Sequence, residues 1–154
     1  TPDEAAQYKN TYLENMKGSR KFFNSVIKKI QTHGQVRNKY GRVYKVPSEF
    51  GYKGVNYLIQ GTSADIMSER MVAVAEYLKD KKSNLLLQVH DEIICEVHKD
   101  EVDSVASEIR KLMKDNTLDI PLEVDMEVCD PSWAVKKDFD DINKFKLEEH
   151  IDWD

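Results

Sequence analysis

Two cysteines and four prolines among 154 residues leave little room for several familiar classes of protein. Cys95 sits in an apolar, strand-like run and Cys129 near a turn, and neither has metal-ligand spacing. That excludes a disulfide scaffold and a zinc module, and it predicts a reducing compartment. Long hydrophobic runs are equally scarce: stretches such as 71–75 and 93–95 fall far short of the roughly 20 residues that cross a bilayer. No basic-then-apolar leader opens the chain, so the expectation is a soluble, cytoplasmic protein with no membrane partner. Residue 1 is Thr and not Met, which predicts a processed, cleaved or trimmed product. What remains, 40% hydrophobic and 33% charged, suits one globular core and excludes a large multidomain chain.

The formal charge of −5 hides an asymmetry. Residues 1–60 hold 11 Lys and Arg against 4 Asp and Glu, a net +7, whereas residues 61–154 hold 12 against 24, a net −12. A basic half can follow phosphates and an acidic half can hold divalent metal, so a polyanion worked on by metal fits both; charge that merely solvates helix faces fits as well.

Thr1-Pro2-Asp3-Glu4 reads as a capping box with Pro at the first helical position, and Tyr8, Tyr12 and Met16 recur at helical spacing up to Gly18. Ser19 is placed to cap a second helix, whose Phe22, Phe23, Val26, Ile27 and Ile30 form one apolar stripe before Gly34 ends it. The pair predicts a helical hairpin. From Gln35 to Pro47 the period changes to two around Tyr40-Gly41, which predicts a short β-hairpin bearing Arg37, Lys39, Arg42 and Lys45. After Gly51, the residues Val55, Leu58, Ile66, Met67, Val74 and Leu78 keep helical spacing and predict one long, mostly buried helix bent at Gly61. Asn84 to Val97 reads as two strands with a polar tip. Asp100 is placed to cap a helix with Val102, Val105, Ala106, Ile109, Leu112 and Met113 on one face, and residues 122–128 alternate as a half-buried strand. The class is α+β, with ββαβ order on one antiparallel sheet. The stripes of Phe22, Phe23 and Val26 and of Ile66, Met67 and Met71 read as core and carry no cofactor box.

The polar tip, His90-Asp91-Glu92, places two carboxylates side by side next to an imidazole. Adjacent carboxylates repel, which is tolerable at a solvated turn and useful where a divalent cation neutralises them. The wider context weighs between these. Leu85-Leu-Leu-Gln-Val-His-Asp-Glu-Ile-Ile94 strongly resembles motif C of the family A DNA polymerases. Upstream, Asn56-Tyr-Leu-Ile-Gln-Gly-Thr-Ser-Ala-Asp65 resembles the family's Gln-Gly-Thr-Ala-Ala-Asp helix, and Tyr40-Gly-Arg-Val-Tyr-Lys-Val-Pro47 is similar to its Gly-Arg-Arg-Arg-Tyr-Val-Pro segment. Pro121-Leu-Glu-Val124 and Pro131-Ser-Trp133 resemble the last palm strand and the terminal Trp motif. The likeness runs colinearly over residues 1–137.

This resemblance implies a helical fingers segment and basic hairpin over residues 1–50, a palm segment over 51–137 and an acidic tail over 138–154. It implies nucleotidyl transfer to a primer 3′ end, with Asp91 as a catalytic ligand of a two-Mg²⁺ site, Glu92 as the neighbouring acid that tunes it and His90 beside the primer terminus. Asn56 and Gln60, four apart on one helix face, are implied to contact the duplex, where a Gln donor can meet the minor-groove acceptor of any base pair. Arg42, Lys39, Lys45 and Lys53 complete the implied DNA-binding set. Three departures bear on that set: Tyr52 stands where a basic residue is usual, and Val43 and Tyr44 replace basics after Arg42. The short link from Pro47 to Asn56 points to a phage-like branch, placing the protein in the nucleoid or the host-cell cytoplasm. The family's second catalytic Asp and its Arg/Lys/Tyr nucleotide-binding helix have no counterpart in these 154 residues. The expected partners are therefore primer-template DNA, deoxynucleoside triphosphates and a companion polypeptide supplying the missing motifs. The rival from another class is a non-catalytic nucleic-acid-binding or assembly protein that retains a polymerase-like hairpin; side-by-side His90-Asp91 together with Gln60 weighs against it. The tail mixes acids with Phe139, Phe145, Ile151 and Trp153, suiting either solvated disorder or docking to a basic surface.

Overall fold

The structure, a computed structural model, describes residues 1–114, 118–130 and 132–139. The chain forms two compact units, Thr1–Glu69 and Arg70–Asp154. Mixed helices and small antiparallel sheets make it α+β, as the residue pattern predicts.

In the first unit, helix α1 (Pro2–Asn15) opens on the expected capping box: the Glu4 amide donates to Thr1 Oγ1 at 3.3 Å, and the Glu4 carboxylate accepts from the Thr1 backbone nitrogen at 2.6 Å. Its Tyr8, Tyr12 and Met16 stay on the surface, and no α1 residue is buried. Helix α2 (Ser19–His33) is not capped by Ser19. Gly18, with φ 88°, turns the chain into the helix, and the Ser19 hydroxyl is spent on the Met16 carbonyl at 2.8 Å. Phe22 points outward, whereas Val26 and Ile30 are buried with Val36, Val46 and Val55, against half-buried Phe23, Tyr44 and Leu58.

Strands β1 (Gln35–Arg37) and β2 (Val43–Lys45) form the expected basic hairpin, with Val36 opposite Tyr44. Helix α3 (Lys53–Leu78) continues unbroken for 26 residues through Gly61. The glycine serves approach and not a break in the helix: a Cβ there would lie 1.8 Å from the Tyr44 hydroxyl.

In the second unit, the end of α3 contributes Val74 and Leu78 to a core with Val105 and Ile109 of helix α4 (Val102–Met113), joined by half-buried Leu85, Cys95 and Val97. Asp100 does not cap α4. A 3₁₀ turn at Lys99–Glu101 precedes it, where the Asp100 amide donates to His98 Nδ1 at 3.3 Å. Glu101 instead bonds backwards, accepting from the buried Ser83 hydroxyl at 2.7 Å and the Lys82 amide at 3.1 Å; these bonds, the Ser83 hydroxyl foremost, hold its carboxyl below the ordinary range. That ties the turn after α3 to the start of α4.

Strands β3 (Asn84–Val89) and β4 (Glu92–Glu96) pair antiparallel, as do β5 (Glu127–Cys129) and β6 (Lys136–Asp138). The expected single sheet is not formed: among the described residues there are three separate two-stranded sheets. Alternation over 122–128 marks a strand-competent segment, but a ladder also needs a neighbour, and among the described residues the strand forms at Glu127–Cys129, paired with β6. Among the described residues no helix is long and apolar enough to cross a membrane. Beyond Asp138 and Phe139, the acidic tail lies outside the described residues.

Candidate active-site hairpin and nucleic-acid face

Pairing of Val89 with Glu92 closes the β3–β4 hairpin and leaves His90 and Asp91 as a two-residue turn. Such a tight turn needs a left-handed residue. Here His90 supplies it, with φ 54°, the one non-glycine among the described residues with positive φ. The Gln88 side-chain amide donates to the His90 carbonyl and braces the tip. A β-bulge at Leu86 shifts the register between Leu85 and Leu87, so Leu86 and Leu87 are both solvent-exposed. His90, Asp91 and Glu92 are all exposed, the two acids consecutive in the chain. Lys136 stands near this end: the Glu127 carboxylate, 2.9 Å away, is the main cause that raises its pKa, and Glu92 adds attraction.

Among the described residues no three His, Cys, Asp or Glu side chains gather closely enough to hold a metal ion. An exposed Asp91 is nevertheless a hard oxygen donor of the kind Mg²⁺ prefers, and Mg²⁺ characteristically takes only one or two carboxylates from a protein. The turn therefore fits as one corner of a metal site completed by other ligands.

Asn56, Gln60, Lys39, Arg42, Lys45 and Lys53 all belong to the first unit. Asn56 and Gln60 are exposed and four apart on α3. Lys39 and Lys45 are exposed on the hairpin loop and on β2, and the Lys53 ammonium lies 4.4 Å from the centre of the Phe50 ring. A groove of about 290 Å³ on the same unit is lined by Lys29, His33, Gln35, Val36, Arg37 and Val43, adding two cations that sequence reasoning did not single out as ligands.

Arg42 differs from the others. Its Nε donates to both Asp65 oxygens, at 2.9 and 3.1 Å, and its Nη2 also bonds Asp65 Oδ1. Asn38, buried, donates to Asp65 Oδ2 at 2.6 Å and to the Tyr44 hydroxyl at 3.3 Å, while its Oδ1 accepts from the Arg42 amide at 2.9 Å. The Arg42 guanidinium, and after it the Asn38 amide, holds the Asp65 carboxyl below the ordinary range, and Asp65 in turn raises Arg42. Asn38 and Asp65 were overlooked as site residues because they meet only across 27 positions of chain.

Residues 1–135 match the profile of DNA polymerase family A. The chain is 33% identical over 146 residues to DNA polymerase I of Bacillus subtilis, covering 86% of this chain and 16% of that protein. It is 34% identical over 141 residues to DNA polymerase I of Deinococcus radiodurans, covering 84% and 15%. Among solved structures, the POL domain of Pol1 from M. smegmatis, in complex with DNA primer-template and dNTP, matches with TM-score 0.72 and 29% identity over 80% of this chain and 24% of that one. The chain belongs to DNA polymerase family A. It spans about one sixth of the length of the curated relatives it matches.

Proposed function

We infer that these residues are the motif C half of a DNA-directed DNA polymerase, extending a primer 3′ end with deoxynucleoside triphosphates. The observation that carries the reading is the His90-Asp91 turn held out on an apolar hairpin, within a chain of this family. Asp91 supplies one carboxylate to a two-Mg²⁺ site. Bound there, Mg²⁺ would favour deprotonation of the primer hydroxyl and neutralise charge developing on the transferred phosphate. Glu92 keeps a second negative charge beside Asp91, and His90 offers an imidazole donor to the primer end. Asn56 and Gln60 contact the duplex at the insertion point, with Gln60 donating to minor-groove acceptors. Lys39, Lys45 and Lys53 follow the phosphate backbone; Arg42, which the family pattern also assigns to DNA, has its guanidinium on Asp65.

The second catalytic Asp and the nucleotide-binding helix come from polypeptide outside these 154 residues, so activity requires that part as well. Residues 1–50 serve as fingers, 51–137 as palm and 138–154 as an acidic tail. The short link from Pro47 to Asn56, filled by a 3₁₀ turn at Ser48–Phe50 and a turn at Gly51, supports a phage-type branch.

The test is Asp91→Ala in the assembled polymerase. Extension should fall to background while primer-template Kd stays within about twofold, because a metal ligand and not a phosphate contact is lost. Turnover above a few per cent of wild type would overturn the site, and intact turnover would favour the non-catalytic reading of this hairpin.

A further inference from the structure

We propose that Asp65 is a positioning residue that holds Gln60 and Asn56 in place by latching the basic hairpin onto α3, and that Arg42 works inside this latch and not as a phosphate ligand. The proposal rests on the polymerase reading above.

Arg42 has a carboxylate across its fork. Three contacts reach Asp65 from one guanidinium, whose bidentate geometry is the strongest available to it, and the Asp65 side chain is only 9% exposed. A guanidinium so engaged would have to give up this pair before it could grip a phosphate.

The latch is also fully bonded at its buried end. Asn38 uses both amide hydrogens and its oxygen, on Asp65, Tyr44 and the Arg42 amide. It thereby fixes Tyr44, whose hydroxyl lies where a side chain on Gly61 would stand. The Tyr44 ring stacks on Tyr57, with centroids 6.1 Å apart and planes 20° from parallel. Tyr57 and Gly61 are the residues immediately after Asn56 and Gln60. One aromatic ring, held by the Asp65 network, thus braces α3 next to both duplex-facing side chains.

The two roles of Arg42 predict opposite signs. Under the latch, Arg42→Gln and Asp65→Asn each weaken primer-template binding several-fold, the double variant is no worse than either single one, and the slope of log Kd against log salt is unchanged. Both variants should also narrow the preference for matched over mismatched primer termini, the same change expected of Gln60→Ala measured alongside; a merely structural lesion would reduce folded enzyme and leave that ratio alone. If Arg42 were instead a phosphate ligand, Arg42→Gln would lower the slope by about one, and Asp65→Asn, by freeing the guanidinium, would tighten binding. Either result overturns the proposal, as does full additivity of the two substitutions. Should Asp65→Asn fail to fold, Asn38→Ala and Tyr44→Phe report on the same latch through the same ratio. Asp91→Ala, run alongside, separates the two questions: normal extension by that variant would dismiss the catalytic reading, while Kd, salt slope and the coupling between Arg42→Gln and Asp65→Asn in thermal unfolding would still judge the latch.

Discussion

His90 occupies a backbone region that β-turn chemistry normally gives to Gly or Asn. Its φ of 54° costs on the order of 1 kcal/mol in a non-glycine residue, so the hairpin tip gives up stability where the chemistry is proposed. His90→Gly should therefore leave the fold intact or stabilise it by up to about 1 kcal/mol in denaturant unfolding, while slowing primer extension through loss of the imidazole. A destabilised His90→Gly protein would mean that the side chain holds the turn. Residue-scale reasoning from sequence placed His90, Asp91 and Glu92 at the hairpin tip because a polar break between apolar strands is a local signal; Glu92 instead opens β4, paired with Val89. It misassigned Ser19 and Asp100 as caps, since a hydroxyl or carboxylate before a helix is also free to bond elsewhere, and in the case of Ser19 it does.

At the scale of elements, the long α3, the basic β1–β2 hairpin and the β3–β4 hairpin were all legible from periodicity, which is set by each element's own buried face. The latch between β1–β2 and α3 was not legible, because Arg42 and Asp65 are 23 positions apart and each alone reads as a solvated charge. Nor was the division into three small sheets, which depends on which strands find neighbours. The latch carries a pH signature. Asp65 has its carboxyl held below the ordinary range by Arg42 and then Asn38, so the stabilisation is complete above the unfolded value and is lost as pH falls through the lowered folded one. Thermal unfolding should show wild type losing more stability than Asp65→Asn on going from about pH 5 to about pH 2, with the two curves parallel near neutrality. Parallel curves throughout the acid range would mean that the Asp65 contacts contribute nothing to folding.

At the scale of the whole molecule, the second unit leaves large apolar side chains uncovered: Leu86, Leu87, Ile120 and Trp133 are each about half exposed or more, with both edges of the β3–β4 pair unpaired among the described residues. Exposed apolar surface on an open strand edge seeks a partner. If Asp91 supplies one carboxylate of a shared metal site, as proposed, the chain holds only half of a polymerase site, and the isolated 154 residues should purify poorly or aggregate. The most direct measurement is Mg²⁺-dependent primer extension by the 154-residue chain, alone and combined with the polypeptide carrying the second catalytic Asp and the nucleotide-binding helix. The expected result is no extension alone and Mg²⁺-dependent extension only in the complex. A well-behaved monomer that extends primers unaided would contradict the account and require a second metal-binding carboxylate within this chain.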